Sequence, residues 1–199
     1  MRAVTTVRGK AIPLDRSNVD TDQIIPARHL KRIERTGYGV FAFEAWRKDP
    51  GFVFNDQRYA GASILLARQN FGCGSSREHA VWAIQELGID AVVATSFADI
   101  FKSNSFQGGL LTVELPGEDL DYLLARAQER PEAELIVDLP SQTVRTSDDA
   151  WARHFDIDPF KKYRLLRGLD DIAMTIAYEP DVAAFEARRP AFLPTTTPA

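Results

Sequence analysis

The chain has very little sulfur: one cysteine, Cys73, and two methionines in 199 residues. A single thiol excludes an internal disulfide, and it excludes an iron–sulfur cluster held by this chain alone, because such clusters need several Cys thiolates. Histidine is equally scarce. His29, His79 and His154 stand far apart and lack metal-ligand spacing, so no metal site is expected. A charge excess is missing too. With 24 Lys and Arg against 28 Asp and Glu, the formal net charge is -4 and no basic stripe emerges, which argues against nucleic acid. Lys31, Arg32 and Arg35 form a small basic cluster that reads as a solvated helix face. No apolar run is long enough to cross a bilayer, and Met1-Arg2-Ala3-Val4-Thr5 lacks the apolar core of a secretory signal. The expectation is a cytoplasmic chain without a membrane partner.

What remains is the composition of an ordinary globular protein, 45% apolar and 26% charged, with length for one well-buried domain. Residues 1–180 are expected to form that domain. Residues 181–199, with Pro190, Pro194, Thr195 to Thr197 and Pro198, read as a partly disordered tail. Val4 to Leu14 is strand-like, with Gly9 and Pro13 as breaks, and Asn18 to Asp22 reads as an Asx-type turn rather than a calcium loop. Ser96 and Asp99 have the spacing of a capping box before a helix ending near Gly108-Gly109. Leu110 to Leu115 is a strand. Leu120, Leu123, Leu124 and Ala127 mark an amphipathic helix stopped by Pro131. Glu134 to Leu139 and Gln142 to Thr146 flank a hairpin turn at Pro140-Ser141. Pro159 to Arg167 reads as a helix ended by Gly168, and Asp171 to Tyr178 as a last strand.

The most informative stretch is Asn70-Phe71-Gly72-Cys73-Gly74-Ser75-Ser76-Arg77-Glu78-His79. Before it, Ser63 to Ala67 reads as a buried strand. After it, Ala80, Val81, Ile84 and Leu87 recur at helical spacing up to Gly88, and Ala91 to Ala94 reads as the next strand. Strand, glycine loop, helix and strand make a parallel βαβ unit, hence an α/β fold with a mixed sheet. Gly72 and Gly74 let the backbone turn sharply and approach a ligand. The helix amino end offers N–H groups and a positive dipole, Ser75 and Ser76 offer hydroxyls, and Arg77 offers a fork that fits a carboxylate or phosphate. The plain alternative is that Ser75, in Ser75-x-x-Glu78, only caps the helix. A dinucleotide fingerprint is disfavoured, because Arg77 stands where the third glycine belongs. A P-loop and a hydrolase nucleophile elbow are both absent.

The run from Asn70 to Ala80 resembles the signature of the small swivelling domain of the aconitase family, and within it the small-subunit branch of the isopropylmalate dehydratases. The likeness extends to Asn18-Val19-Asp20-Thr21-Asp22-Gln23-Ile24-Ile25-Pro26, to Leu30 through Gly37, to Ser96-Phe97-Ala98-Asp99-Ile100-Phe101 with Asn104, and to Asp158-Pro159-Phe160 and Leu165 through Ile172. His29 departs from the pattern, where phenylalanine is common. The resemblance covers about residues 1–178. It implies a three-layer β/β/α swivelling domain and a hydro-lyase subunit, active only with a large subunit, that isomerises 2- and 3-isopropylmalate through 2-isopropylmaleate in leucine biosynthesis.

By the same resemblance Ser75 is the catalytic base, Arg77 binds a substrate carboxylate, and Ser76 and the backbone near Gly74 contact substrate. A 4Fe-4S cluster is then expected on the large subunit and none on this chain. Glu78 reads as a helix cap, Cys73 as a small apolar filler, and His79 as a packing residue at least as well as a catalytic one. Tyr38 and Phe41, in a glycine-rich stretch expected to be a mobile loop, could wall a pocket for the substrate's isopropyl group or could simply be core. A small subunit of homoaconitase or of another hydroxy-dicarboxylate dehydratase is the alternative within the class. A stand-alone carboxylate-binding module is the alternative outside it.

Overall fold

The structure is a computed structural model and describes residues 1–31, 34, 36–176 and 178–189. Its organising element is β1 (Thr6–Leu14), where the parallel and antiparallel halves of one seven-stranded sheet meet. Through Thr6 to Lys10 it pairs antiparallel with β5; through Ala11 to Leu14 it pairs in parallel with β2. Gly9 and Pro13 therefore do not break the strand. Pro13 lies where β1 is paired on one side only, so its missing N–H leaves no second ladder unsatisfied. At Gly9 a Cβ would come within 2.3 Å of the Ser63 hydroxyl oxygen, which would have to rotate away to admit it.

From β1 the chain passes through the short helix α1 (Thr21–Ile24) and a series of single 3-10 turns before reaching β2 (Ile64–Ala67). Then follow α2 (Glu78–Glu86), β3 (Ala91–Ala94), α3 (Asp99–Gly108), β4 (Leu111–Glu114), α4 (Gly117–Glu129), and the antiparallel strands β5 (Glu134–Asp138), β6 (Thr143–Thr146) and β7 (Ala152–His154). Spatial order is β4-β3-β2-β1-β5-β6-β7, parallel on one side of β1 and antiparallel on the other. This is the α/β class with a mixed sheet that the βαβ signal implied. β2 and β3 are buried along their whole length, as parallel strands covered on both faces must be. Leu65 and Val92 face one core with α2 and α3; Ile64, Leu66 and Val93 face a second core with α4 and the antiparallel strands.

The last elements are α5 (Pro159–Arg167), α6 (Asp171–Ile176) and α7 (Glu179–Ala187). α5 has the ends its sequence calls for: Asp158 caps through the Lys161 N–H, Pro159 opens the first turn and Gly168 closes it at φ 66°. The expected strand at Asp171 to Tyr178 is instead α6. Asp170 decides this, because its carboxylate accepts from the Ala173 N–H at 2.8 Å and its carbonyl from the Met174 N–H at 3.0 Å. Ile172 and Ile176 are exposed and reach no sheet edge. The expected tail at 181–199 begins inside α7, which runs Glu179–Ala187, and residues 190–199 lie outside the described residues. Among the described residues no helix is long and apolar enough to cross a membrane.

Candidate functional site

The carboxyl ends of β1, β2 and β3 converge, and the loop after β2 is held between the loops after its neighbours. On one side Gly72 and Cys73 donate backbone hydrogen bonds to the Val19 carbonyl (2.8 and 3.2 Å), and Thr21 N–H donates to the Cys73 carbonyl at 2.9 Å. The Thr21 hydroxyl donates to the Ser75 carbonyl at 2.9 Å, and the Asn70 amide to Asn18 Oδ1 at 2.9 Å. On the other side Phe71 N–H donates to the Ser96 carbonyl and Ala98 N–H to the Phe71 carbonyl, while Asn70 N–H reaches the Ser96 hydroxyl at 2.9 Å. The loop backbone is thus fixed by its neighbours on both flanks. Gly72 has φ +75°, and a Cβ there would lie 2.1 Å from the Phe101 ring; Gly74 has φ +88°. Both glycines are demanded by geometry.

The fixed backbone carries exposed side chains. α2 starts only at Glu78, its N-cap is Arg77 in an extended conformation, and no side chain caps it. Ser75 is therefore not a helix cap. It sits two residues before the cap, and Gly74, Ser75 and Ser76 are all exposed. Glu78 likewise caps nothing; it lies in the first helical turn, where a carboxylate suits the dipole. The second expected capping box fails in the same way. Ala98 is the N-cap of α3 without a side-chain bond, and Ser96 is spent on the glycine loop.

Arg77 is mostly buried, with 10% of its side chain exposed. Its Nη1 and Nη2 meet the two carboxylate oxygens of Asp22 at 2.5 and 2.9 Å, and Nη1 also donates to the Ile25 carbonyl at 3.2 Å. The guanidinium holds the Asp22 carboxyl below its ordinary range. His79 packs against Tyr38 and Trp82 with ring centroids 5.1 and 4.8 Å away, and burial lowers its pKa, so it rests as a neutral packing group. Burial and the nearby Asp20 carboxylate raise the Cys73 thiol, which makes it a poor nucleophile.

The 36–43 segment is organised differently. Tyr38 is fully buried, its hydroxyl donating to the Glu34 carbonyl at 2.9 Å and its ring on His79 and Trp82. Its ring belongs to the core of the described residues. Phe41 is half-buried and stacks on His29 at 3.9 Å between centroids, while His29 Nε2 lies 2.6 Å from the Glu44 carboxylate. The large apolar side chain this turn exposes is Val40, at 74%. Both oxygens of Glu86, at the end of α2, accept from the turn: from Gly37 N–H at 2.8 Å and from Gly39 N–H at 2.7 Å. The helix that begins at the serine loop therefore ends by anchoring this turn.

Sequence reasoning missed Asp22 and Glu86. Asp20-x-Asp22 marked only a turn, and nothing local says that the second carboxylate reaches an arginine 55 residues further on. A cavity of about 400 Å³ lies elsewhere, between α3, β4 and α5, with Lys102, Phe106, Ile157 and Lys161 in its lining. The donor set does not fit a resident iron–sulfur cluster. Cys73 is the only thiol, and no three His, Cys, Asp or Glu side chains gather into a metal-binding group among the described residues.

A family model described as the aconitase C-terminal domain matches residues 1–118, and a second, described as LeuD_N, matches residues 121–159. The 3-isopropylmalate dehydratase small subunit of Rubrobacter xylanophilus is 54% identical over 194 residues, 98% of each chain. That of Streptomyces coelicolor is 50% identical over 196 residues, again 98% of each. The chain belongs to the 3-isopropylmalate dehydratase small-subunit family. A crystal structure of 3-isopropylmalate dehydratase from Methanocaldococcus jannaschii shares the fold, with a TM-score of 0.67 at 24% identity over 90% of this chain and 98% of that one. The match to the aconitase C-terminal domain model includes the serine loop.

Proposed function

We propose that this chain is the small subunit of a 3-isopropylmalate dehydratase, interconverting 2-isopropylmalate and 3-isopropylmalate through 2-isopropylmaleate in leucine biosynthesis. It works in the cytoplasm, docked on a large subunit. The Lewis acidity that assists departure of the substrate hydroxyl belongs to a 4Fe-4S cluster on that large subunit. The observation that carries the reading is the pinned loop with its outward hydroxyls: Gly74, Ser75 and Ser76 exposed at the amino end of α2, beside a buried Arg77.

Ser75 is the base that takes the proton from the carbon beside a carboxylate. A serine hydroxyl gives up its own proton only where positive charge stabilises the alkoxide. The helix amino end supplies that charge, and docking of the large subunit removes the water that would screen it. Ser76 and the Gly74 backbone hold the substrate's oxygens, and Arg77 grips a carboxylate. Val40 lies in a turn without a basic side chain among its described residues, so it favours an apolar substrate side group over a third carboxylate. This separates the isopropylmalate reading from the homoaconitase one.

The test is co-expression with a large subunit of the same family, followed by a substrate panel of isopropylmalate, homocitrate-type acids and citrate. Turnover of isopropylmalate is expected from the complex and from neither subunit alone. Tight carboxylate binding by this chain alone, with no turnover in the complex, would instead favour a stand-alone binding module.

A further inference from the structure

Arg77 looks at first like a residue already spent, since a carboxylate of its own chain holds it. The geometry of the guanidinium says otherwise. Its five N–H bonds form two forks, one across the Nη1 and Nη2 ends and one along the Nε and Nη2 side. Asp22 takes the end fork with both oxygens, and the Ile25 carbonyl takes the remaining Nη1 proton. What is left is the side fork, Nε–H with the second Nη2–H, which no described residue of the chain engages. Asp22 is itself held: Oδ1 accepts from the Ala27 N–H at 3.1 Å, just beyond the α1 turn. The carboxylate is therefore fixed on one side by backbone and fixes the arginine on the other.

We propose that Asp22 is the positioning residue of the site: by occupying the end fork of Arg77 it locks the guanidinium plane and leaves the side fork for one carboxylate of the substrate. The proposal rests on the reading of Arg77 as the carboxylate grip. It explains why an arginine with only 10% of its side chain exposed serves a binding site: its plane is set before substrate arrives, so little rotamer freedom is lost on binding. It also explains the division of labour between two sequence segments that lie 55 residues apart and meet only in the fold.

The experiment uses the assembled enzyme, this chain with its large subunit, and compares Asp22→Asn, Asp22→Glu, Arg77→Ala and the double variant Asp22→Asn/Arg77→Ala. Asn can accept with one oxygen where Asp uses two, so KM for isopropylmalate should rise about tenfold or more, the loss expected for a mis-set charged hydrogen bond. Complex yield should stay at the wild-type level, because Asp22 is 57% exposed. Asp22→Glu should recover part of the loss, and Asp22→Asn should cost nothing further once Arg77 is gone. If Asp22→Asn assembles poorly, the intermediate KM of Asp22→Glu carries the same test. Unchanged KM in an assembled Asp22→Asn enzyme, beside an impaired Arg77→Ala, would overturn the positioning role and leave the proposed function standing. A loss confined to complex yield would overturn it equally. A wild-type complex inert toward isopropylmalate would remove the function and the positioning role together.

Discussion

The loop at 70–77 and the turn at 36–43 carry similar sequence signals, glycines among chemically interesting side chains, yet the fold uses them in opposite ways. In the first, neighbouring loops bind the backbone on both flanks while Ser75 and Ser76 are exposed. In the second, the aromatic side chains turn inward, Tyr38 fully and Phe41 partly, and Val40 is the one large apolar side chain left exposed. The first pattern is what chemistry requires: reactive groups presented from a backbone that cannot drift. The second is what a recognition edge requires, an apolar surface residue on a buried base. α2 joins them, with the serine loop at its start and Glu86 holding the turn at its end.

The comparison breaks most violently at Gly72. Gly72→Ala puts a methyl 2.1 Å from the Phe101 ring at a φ of +75°. A loss of more than about 4 kcal/mol in stability is expected, with collapse of the soluble fraction, from strain and overpacking together. Chemical denaturation of the purified chain reads it out; a loss below 1 kcal/mol would mean the loop is not pinned as described. Next comes Ser75→Ala. Because Ser75 is no cap, stability should stay within about 0.5 kcal/mol of wild type. As the base, its loss should lower kcat of the assembled enzyme by about 10²–10⁴-fold. A variant that melts early but turns over normally would reverse the roles of cap and base.

Tyr38→Ala tests the other segment. If Tyr38 is core, the substitution costs about 3–5 kcal/mol in stability, and Tyr38→Phe, which loses the bond to the Glu34 carbonyl, costs about 1 kcal/mol. Neither should change the ratio of kcat/KM between isopropylmalate and a substrate lacking its side group. A changed ratio in a stably folded Tyr38→Phe enzyme would put the ring back in the substrate pocket.

Which parts could be read in advance follows from how local their causes are. The βαβ unit, the hairpin and α5 declare themselves because period, caps and glycines lie within a few residues of one another. The glycine loop was legible for the same reason. Three features were not. β1 runs through Gly9 and Pro13 because each half of it is paired on a different side, a property of the assembled sheet. Ser75-x-x-Glu78 has capping spacing, but the loop's bonds to Val19 and Thr21 delay the helix start to Glu78. α6 replaces the expected strand because the Asp170 carboxylate accepts from the Ala173 N–H and so selects a helix. In the site, Ser75, Ser76 and Arg77 lie together as their sequence spacing requires, while Asp22, Glu86 and the outward face of Val40 depend on contacts between distant segments.

Val40→Arg is the mildest test and the most specific. The side chain is 74% exposed, so stability should move by no more than about 0.5 kcal/mol, and the serine loop is untouched. If Val40 forms the apolar edge that meets the substrate's side group, a charged replacement should lower kcat/KM for isopropylmalate by about 10–200-fold, the range that a pocket discriminates per apolar group. It should at the same time raise activity toward an analogue carrying a third carboxylate, because the new guanidinium supplies the counter-charge that the native turn lacks. An equal fall for both substrates would assign the effect to disturbed docking of the large subunit. No change for either would move recognition of the side group off this turn altogether, leaving the glycine loop as the part of this chain that touches substrate.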